Sequence, residues 1–278
     1  MNHEVLRYTA FSVDPQGGNP AGIVLDARGM GEAEMQGIAA EVGYSETAFL
    51  LPREDGAFDV RYYSPRAEVS FCGHATIAAM VAHAQRHGPG TRLLHTRAGA
   101  VRVGVDGAGV ATLSCVSPDV KVVDPADLAA VLAALDWEAD ELDDALPPAL
   151  AYAGAWHPIL FVRERTRLAR LDYDFDALAR LMAERGWTTV DLVWRENADT
   201  FHARNPFPPG GVVEDPATGA AAAALGAYLA WRDALPPQRR FVVRQEEGFG
   251  RPSRLDVVVP SDPSEGVRVS GTATRIQA

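Results

Sequence analysis

The stretch Ile38-Ala39-Ala40-Glu41-Val42-Gly43-Tyr44 returns in altered form as Leu181-Met182-Ala183-Glu184-Arg185-Gly186-Trp187. Both stretches hold Ala, Glu and Gly at matching positions, and both end in an aromatic residue. The two glycines are 143 residues apart (186 minus 43), which is about half of the 278-residue chain. Self-similarity at a fixed offset is the sequence signature of repeated structure. The match therefore predicts that the two halves of the chain are related.

Three more pairs of segments match in the same order. They are Phe58–Arg61 with Phe201–Arg204, His74–Thr76 with Pro216–Thr218, and Asn19-Pro20 with His157-Pro158, at offsets of 143, 142 and 138. Four ordered matches indicate a duplication. The sequence thus predicts two similar domains, residues 1–118 and residues 119–278, with a last strand that could cross to the first half.

The sequence of each half predicts the same order of elements, namely strands, a helix, more strands, an alanine-rich helix and closing strands. The alanine-rich helices, about Thr76–Arg86 and Thr218–Trp231, carry small apolar residues on nearly every face, which is typical of buried helices. Sheet must therefore surround each of them. In the second half, Tyr152–Ala155 is predicted to form one of the leading strands.

Composition excludes several classes of protein. The chain is 47% hydrophobic with a net charge of −11, so it can bury a core but offers no basic surface for nucleic acid. No apolar run approaches the ~20 residues of a membrane-spanning helix. The beginning of the chain shows no export signal. We therefore expect a cytoplasmic protein that binds neither nucleic acid nor membrane.

Motifs for metals and cofactors are absent from the sequence. The two cysteines, Cys72 and Cys115, lack the paired spacing of a zinc site or a disulfide framework. His83 and His87 are four apart, but no glutamate lies between them as in a zinc-protease helix. No phosphate-binding loop or dinucleotide fingerprint is present. The sequence predicts chemistry without a cofactor and without a metal.

The beginnings of the two alanine-rich helices are the candidate binding sites. A buried helix N-terminus offers unpaired N–H groups and partial positive charge, which suit a carboxylate or a developing enolate. Gly73 and Gly219 would let the backbone approach such a ligand, although they could instead only permit tight turns. By the duplication, we expect the site in the cleft between the two halves.

Glu46 is the residue at which the repeat breaks, because its partner at offset 143 is Thr189. A carboxyl group in an apolar strand has a raised pKa, as proton transfer near neutral pH requires. A capping or solvated glutamate is the alternative. His74 could carry a proton or bind substrate, or only cap its helix. Asp215 could likewise cap a helix or face the ligand.

Cys72 leaves two interpretations open. It could be a small buried hydrophobic residue. Its place at a helix N-terminus would instead lower the pKa of its thiol and make it reactive.

Several motifs together resemble the phenazine-biosynthesis isomerase (PhzF-like) family. They are Gly18–Gly22, Tyr44–Phe49, Cys72–Thr76, Glu214–Gly219, Gly248–Ser253 and Val269–Gly271. The resemblance implies an α+β fold of the diaminopimelate-epimerase type, with two pseudo-symmetric domains that each roll a mostly antiparallel sheet around a central helix. It also implies an isomerase that moves a proton between carbons of a small carboxylate-bearing substrate, which could be cyclic and unsaturated.

The resemblance also assigns roles to residues. Glu46 would shuttle the proton as acid and base. Asn19, His74 and Asp215 would bind substrate through polar groups, and the backbone around Gly73 and Gly219 would hold its carboxylate. Ala220 is a further substrate-binding position. Family members often pair, so a homodimer is expected.

Two positions depart from the family pattern. Ala220 stands where the phenazine enzyme has a serine that helps to bind substrate. Cys72 stands where some relatives have alanine and where related racemases have a reactive thiol. Two alternatives therefore remain: a thiol-dependent racemase or epimerase that uses Cys72, and a small-molecule-binding protein without catalysis.

Overall fold

Two units make up the chain, and the structure, a computed structural model, describes residues 3–245 and 250–277. One unit runs to Ser114 and takes up the chain again at Ser270, and the other is Cys115–Val269. Gly248 and Phe249, which belong to one of the family motifs, lie outside the described residues. Among the described helices, none combines the length and the apolar character that crossing a membrane requires.

In the part of the first unit that the structure describes, the chain forms two helices and a sheet. Its helices are α1 (Glu32–Val42) and α2 (Gly73–His87). Its strands are β1 (Leu6–Ala10), β2 (Asn19–Val24), β3 (Glu46–Pro52), β4 (Phe58–Tyr63), β5 (Glu68–Val69), β6 (Gly90–Thr96), β7 (Gly99–Val105) and β8 (Ala111–Ser114).

The described residues of the second unit form four α-helices and most of the remaining strands. Its helices are α3 (Pro125–Leu135), α4 (Arg165–Ala169), α5 (Phe175–Arg185) and α6 (Gly219–Trp231). Its strands are β9 (Asp119–Val122), β10 (Ala149–Tyr152), β11 (Trp156–Phe161), β12 (Asp191–Arg195), β13 (Thr200–Arg204), β14 (Pro206–Phe207), β15 (Val212–Glu214), β16 (Arg240–Gln245) and β17 (Ser253–Val258). The chain continues as β18 (Arg268–Gly271) and β19 (Ala273–Arg275).

Both sheets follow the same order of pairing. In the first unit the neighbours run β19, β1, β2, β3, β4, β6, β7 and β8. In the second they run β9, β10, β11, β12, β13, β16 and β17. Two pairs in each sheet are parallel, β2 with β3 and β4 with β6, and β11 with β12 and β13 with β16. The other pairs are antiparallel, so the predicted mostly antiparallel sheet is confirmed.

An alanine-rich helix forms the centre of each unit. Helix α2 packs against β1, β2, β3, β7, β8 and β19, and helix α6 packs against β9, β10, β11 and β17. All positions of α2 from His74 to Ala82 are buried, as are nearly all of α6 up to Leu229. Small side chains let strands approach a helix from several sides, and close packing of this kind stabilises the core. The predicted wrapping of sheet around each helix is confirmed.

The repeated Ala-Glu-x-Gly segments mark the ends of two surface helices. Helix α1 is followed by Gly43 at φ +72°, and helix α5 by Gly186 at φ +68°. The N–H of each glycine donates to a carbonyl near the helix end, that of Ala39 or Met182. Glycine adopts this left-handed conformation without a steric penalty, which explains why both copies hold it.

Two details predicted from the repeat are wrong. The strand expected at Tyr152–Ala155 ends at Tyr152, because the chain turns at Gly154, whose φ is +103°. The match of Asn19-Pro20 with His157-Pro158 is also wrong, because the strand pairing makes other residues structurally equivalent. Ala48 pairs with Ile23, and its equivalent Asp191 pairs with Ile159. The offset on these strands is therefore 136 (159 minus 23), which makes His157 the equivalent of Ala21.

Candidate active site

Glu46 is the first residue of β3, where the strand leaves its turn. β3 runs between β2 and β4, and Glu46 lies opposite Ala21 of the parallel strand β2. The Glu46 side chain is only 15% exposed. Burial raises its pKa above the ordinary value, while hydrogen bonds from Ser45 and Cys72 act in the opposite direction. The fold therefore holds a carboxyl group away from bulk water.

The beginning of α2 brings the second set of polar groups. Cys72 precedes the first helical turn in an extended conformation (φ −146°, ψ 115°), and its side chain forms no capping bond. The hydroxyl of Thr76 donates to the carbonyl of Cys72 over 2.7 Å and lies 2.6 Å from the hydroxyl of Tyr62. Because Thr76 and Tyr62 are buried, these bonds fix the helix beginning against β4.

Three reactive groups meet at this helix beginning. Cys72 Sγ lies 3.5 Å from Glu46 Oε2. His74 Nε2 lies 3.4 Å from the same carboxylate oxygen and 3.7 Å from Cys72 Sγ. The side chain of His74 is 7% exposed. The structure therefore brings together the predicted residues Glu46 and His74, and it places Cys72 in contact with both.

Asn19 completes this cluster from β2. Its amide nitrogen lies 3.2 Å from Nδ1 of His74. When the amide donates to Nδ1, the neutral imidazole carries its hydrogen on Nε2, which faces Glu46. Gly18 precedes Asn19 at φ +67°, and a Cβ atom there would lie 2.2 Å from the carbonyl oxygen of Ala10. Only glycine fits this turn, which explains the Gly-Asn pair.

Gly73 has more space than the sequence suggests. A Cβ atom at Gly73 would meet its nearest neighbour, Leu113 Cδ2, at 3.9 Å. That is ordinary van der Waals contact. Within the first unit, tight packing therefore gives no reason for glycine at this position, and a role in admitting a ligand to the helix N-terminus stays a prediction.

The second unit places its predicted residues at the beginning of α6. Thr218 is the residue before the helix, and Gly219 and Ala220 are its first two residues. Asp215 does not cap the helix through Thr218 N–H, because that group donates to Gln245 Oε1 over 2.9 Å. Instead, the Asp215 carboxylate accepts from the Thr218 hydroxyl over 2.6 Å. Gln245 Nε2 also donates to the Asp215 carbonyl over 2.6 Å.

Sequence reasoning missed two structural supports of this second turn. One is Gln245. The other is the ion pair in which Arg204 donates through Nε and Nη2 to both carboxylate oxygens of Glu214, at 2.9 and 2.8 Å. Its counterpart in the first unit is Arg61 with Glu68. The matched segments ending in Arg61 and Arg204 were a signal that both halves keep an arginine here.

Thr189 is the structural equivalent of Glu46. Phe49 pairs with Arg61, and Leu192 pairs with Arg204, so the offset of 143 holds on both strands. Thr189 is buried in a chain of hydrogen bonds that links His157, Thr189, Asn205 and Asp191 at 2.9, 2.7 and 3.0 Å. The second unit therefore uses this position for a buried polar chain and the first unit for a carboxyl group beside a thiol and an imidazole.

The fold and the cluster define a class of protein. A sheet of this order around a central helix, present twice, is the diaminopimelate-epimerase-like fold. A hydroxyproline epimerase from Agrobacterium vitis shares it with a TM-score of 0.65 at 15% identity, over 98% of this chain and 90% of that one. At this identity the likeness shows the fold alone.

The chain belongs to the family of phenazine biosynthesis-like proteins (PhzC-PhzF), whose family model matches residues 8–278. The isomerase YfhB of Bacillus subtilis, named as uncharacterised, is 30% identical over 98% of this chain and 96% of its own. A phenazine biosynthesis protein of the PhzF family from Bacillus anthracis matches with a TM-score of 0.86 at 28% identity, over 100% of this chain and 98% of that one. The predicted family, fold and isomerase class are confirmed.

Proposed function

We propose that this protein is a cofactor-independent isomerase in which Glu46 takes a proton from one carbon of a small carboxylate-bearing substrate and returns it to another carbon. The contact of Glu46 with both Cys72 and His74 is the observation that carries the proposal. A general base must be held within reach of the proton that it takes, and its pKa must lie near the working pH. Here the Cys72 thiol donates to a carboxylate oxygen of a largely buried glutamate, and the His74 imidazole contacts the same oxygen at 3.4 Å.

Geometry supports this role for Glu46 more than a structural one. The backbone of Glu46 is fixed by ladder pairing with β2. Its side chain forms no ion pair with an arginine or lysine among the described residues, whereas Glu68 and Glu214 are both bound by arginines. A carboxyl group that is not neutralised by a permanent cation can gain and lose a proton during a reaction.

Other features of the proposal rest on the family resemblance. Asp215, Gly219 and Ala220 are proposed as substrate-binding residues of the second unit, and Asn19, Gly73 and His74 as those of the first. Ala220 lacks the hydroxyl of the family serine, so we propose a substrate that differs from the phenazine precursor. The homodimer and the cytoplasmic location are proposals of the same kind.

Deuterium exchange tests the role of Glu46. The protein is incubated in D2O with a dihydro-hydroxyanthranilate and with a panel of cyclic unsaturated acids, and mass spectrometry follows deuterium at carbon. The variant Glu46→Gln should bind these acids but lose exchange by about three to four orders of magnitude, the upper range for a general base. Glu41→Gln, at an exposed glutamate on α1, is the matched control and should keep exchange. Full exchange in Glu46→Gln would refute the proposal.

A thiol-dependent racemase is the second candidate, and the 3.5 Å contact of Cys72 Sγ with Glu46 favours it. The related racemases use a second thiol, and the turn Asp215-Pro216-Ala217 contains none. Cys115 is in the second unit, where burial raises its thiol pKa to about 12. Cys72→Ala decides between the candidates: exchange that persists excludes the thiol mechanism, and exchange that disappears while Glu46→Gln remains active supports it.

A binding protein without catalysis is the remaining alternative. It would bind an aromatic or cyclic acid tightly and catalyse no exchange for any acid in the panel. Calorimetric binding measurements on the same samples separate this alternative from both enzymes.

A further inference from the structure

The three reactive side chains of the first unit form a triangle of donor atoms. Its corners are Glu46 Oε2, Cys72 Sγ and His74 Nε2. Its edges are 3.5 Å from oxygen to sulfur, 3.4 Å from oxygen to nitrogen and 3.7 Å from sulfur to nitrogen. The residues come from the beginning of β3 and the beginning of α2, and both are held by the fold.

These edges match the face of a tetrahedral zinc site. Zinc binds thiolate sulfur at about 2.3 Å, imidazole nitrogen at about 2.0 Å and carboxylate oxygen at about 2.0 Å. With tetrahedral angles, such ligands are about 3.5 Å apart when one is sulfur and about 3.3 Å apart for nitrogen and oxygen. The oxygen and sulfur atoms are therefore spaced as two ligands of such an ion. The imidazole must turn about its Cβ–Cγ bond to point the Nε2 lone pair at the ion, because Nδ1 of the same ring now lies 3.3 Å from Cys72 Sγ.

The chemistry of the donors selects the kind of ion. Thiolate and imidazole favour zinc over the hard cations magnesium and calcium, which prefer oxygen ligands. Three protein ligands leave a fourth position for water, as in open zinc sites. A metal-bound histidine usually donates its other N–H to a carbonyl or carboxylate. The side chain of Asn19, 3.2 Å from Nδ1 of His74, can present its oxygen there after a flip of the amide.

We propose that Glu46, Cys72 and His74 together bind one Zn²⁺ ion. Binding replaces water molecules of the hydrated ion with one oxygen, one nitrogen and one sulfur ligand. The thiol releases its proton to solvent as the sulfur–zinc bond forms, and no electron is transferred. A consequence that rests on the proposed function is reversible inhibition, because zinc occupies the oxygen with which Glu46 would accept a proton.

Cobalt titration tests the site directly. Co²⁺ is added to full-length protein that has been freed of metal with a chelator, and the absorption spectrum is recorded. Tetrahedral Co²⁺ with a thiolate ligand gives a sulfur-to-cobalt charge-transfer band in the near ultraviolet and strong bands in the visible range. We expect both to saturate at one ion per chain and to disappear when Zn²⁺ is added.

Variants at the two cysteines show which thiol is the ligand. Cys72→Ala should remove the charge-transfer band and weaken Zn²⁺ binding by at least ~100-fold. Even the loss of a group that only hydrogen-bonds to a metal ligand lowers metal affinity by about 10- to 100-fold. Cys72→Ser keeps the size of the side chain and should also lose the charge-transfer band. Its loss in both variants shows that the missing thiol is the cause, and not a disturbance of the helix by alanine. Cys115→Ala is the matched control and should keep the band. Binding that Cys72→Ala leaves unchanged, or no stoichiometric binding at all, overturns the proposal.

The experiments can refute the proposed metal site and the proposed isomerase independently of each other. Spectroscopic binding requires no turnover, and deuterium exchange is measured on the chelator-treated protein. Exchange without cobalt binding overturns the metal site alone. Cobalt binding without exchange supports the metal site and counts against the proposed isomerase.

Discussion

Nε2 of His74 lies 3.4 Å from Oε2 of Glu46, while Nδ1 of the same ring lies 3.2 Å from the amide nitrogen of Asn19. The imidazole thus links the beginning of β2 to the beginning of β3 through one buried ring. When the Asn19 amide donates to Nδ1, the neutral ring carries its hydrogen on Nε2, the nitrogen nearer to the carboxylate. We therefore propose that His74 is a positioning residue for Glu46, the proposed base.

The first prediction concerns this orientation. His74→Gln should lower the rate of substrate deuteration by about 10- to 100-fold. We expect the 3.4 Å contact with Glu46 to tighten into a hydrogen bond during the reaction, and such a bond to a charged group contributes about 1.5–3 kcal/mol. Rates are measured in D2O by mass spectrometry, with circular dichroism to establish that the variant is folded. His87→Gln, at the exposed end of the same helix, should keep the full rate. Equal losses in the two variants would contradict the assigned role.

The second prediction concerns the buried pair of Arg204 and Glu214. Their side chains are 7% and 2% exposed, and the guanidinium also donates to the carbonyl of Ala169 over 3.1 Å. Glu214→Gln leaves a buried arginine without its counter-charge, which costs about 3–5 kcal/mol. We expect the free energy of unfolding in urea to fall by this amount.

An exposed pair provides the comparison. Arg254 and Asp256 approach to 2.8 Å, but their side chains are 61% and 46% exposed. Asp256→Asn should change the free energy of unfolding by less than about 1 kcal/mol, as is usual for surface ion pairs. If Glu214→Gln and Asp256→Asn have the same free energy of unfolding, the buried pair of Arg204 and Glu214 does not stabilise the protein as expected.

The third prediction contrasts two helical glycines. A Cβ atom at Gly37 in α1 would have no neighbour within 4 Å, so Gly37→Ala should stabilise the protein by about 0.5–1 kcal/mol through helix propensity. A Cβ atom at Gly226 in α6 would lie 2.9 Å from Val259 and 3.1 Å from Val267. Gly226→Ala should destabilise it by about 1–3 kcal/mol through overpacking. Thermal unfolding measures both, and shifts of the same sign would contradict the packing around α6.

The sequence predicted the parts of the fold that depend on local conformation. Gly43 and Gly186 end helices in both halves because a left-handed residue is needed there, and this repeated requirement revealed the duplication. The alanine-rich helices were found because their composition leaves no polar face. The start of the first of them differs from the prediction, since α2 begins at Gly73 and the apolar pattern begins at Thr76.

Contacts between distant segments could not be predicted in this way. Glu46 and Cys72 were each candidates, but their contact depends on how β3 and α2 meet in space. Gln245 lies 27 residues from Thr218, and nothing in its surroundings indicates that its amide would bind the beginning of α6. Sheet register and side-chain direction decide such contacts, and neither can be read from a single sequence.

The last prediction concerns the pH dependence of stability. Burial raises the pKa of Asp191 from 3.8 to about 7, against a lowering influence of the hydrogen bond from Asn205. A raised pKa in the folded state contributes stability that is complete below pH 3.8 and is lost as the pH rises through about 7. The wild-type protein should therefore lose about 2–3 kcal/mol through this residue between pH 5 and pH 8.

Asp191→Asn should remove this loss, because asparagine keeps an oxygen for the Asn205 amide and has no proton to release. His157 acts in the opposite direction, since burial lowers its pKa to about 4 and stability falls as the pH drops from 6.5 toward that value. Both proteins carry His157, so its contribution largely cancels in the comparison. Urea unfolding of wild type and variant at pH 5 and pH 8 measures the difference. Parallel changes in the two proteins would show that Asp191 keeps the same charge throughout this range.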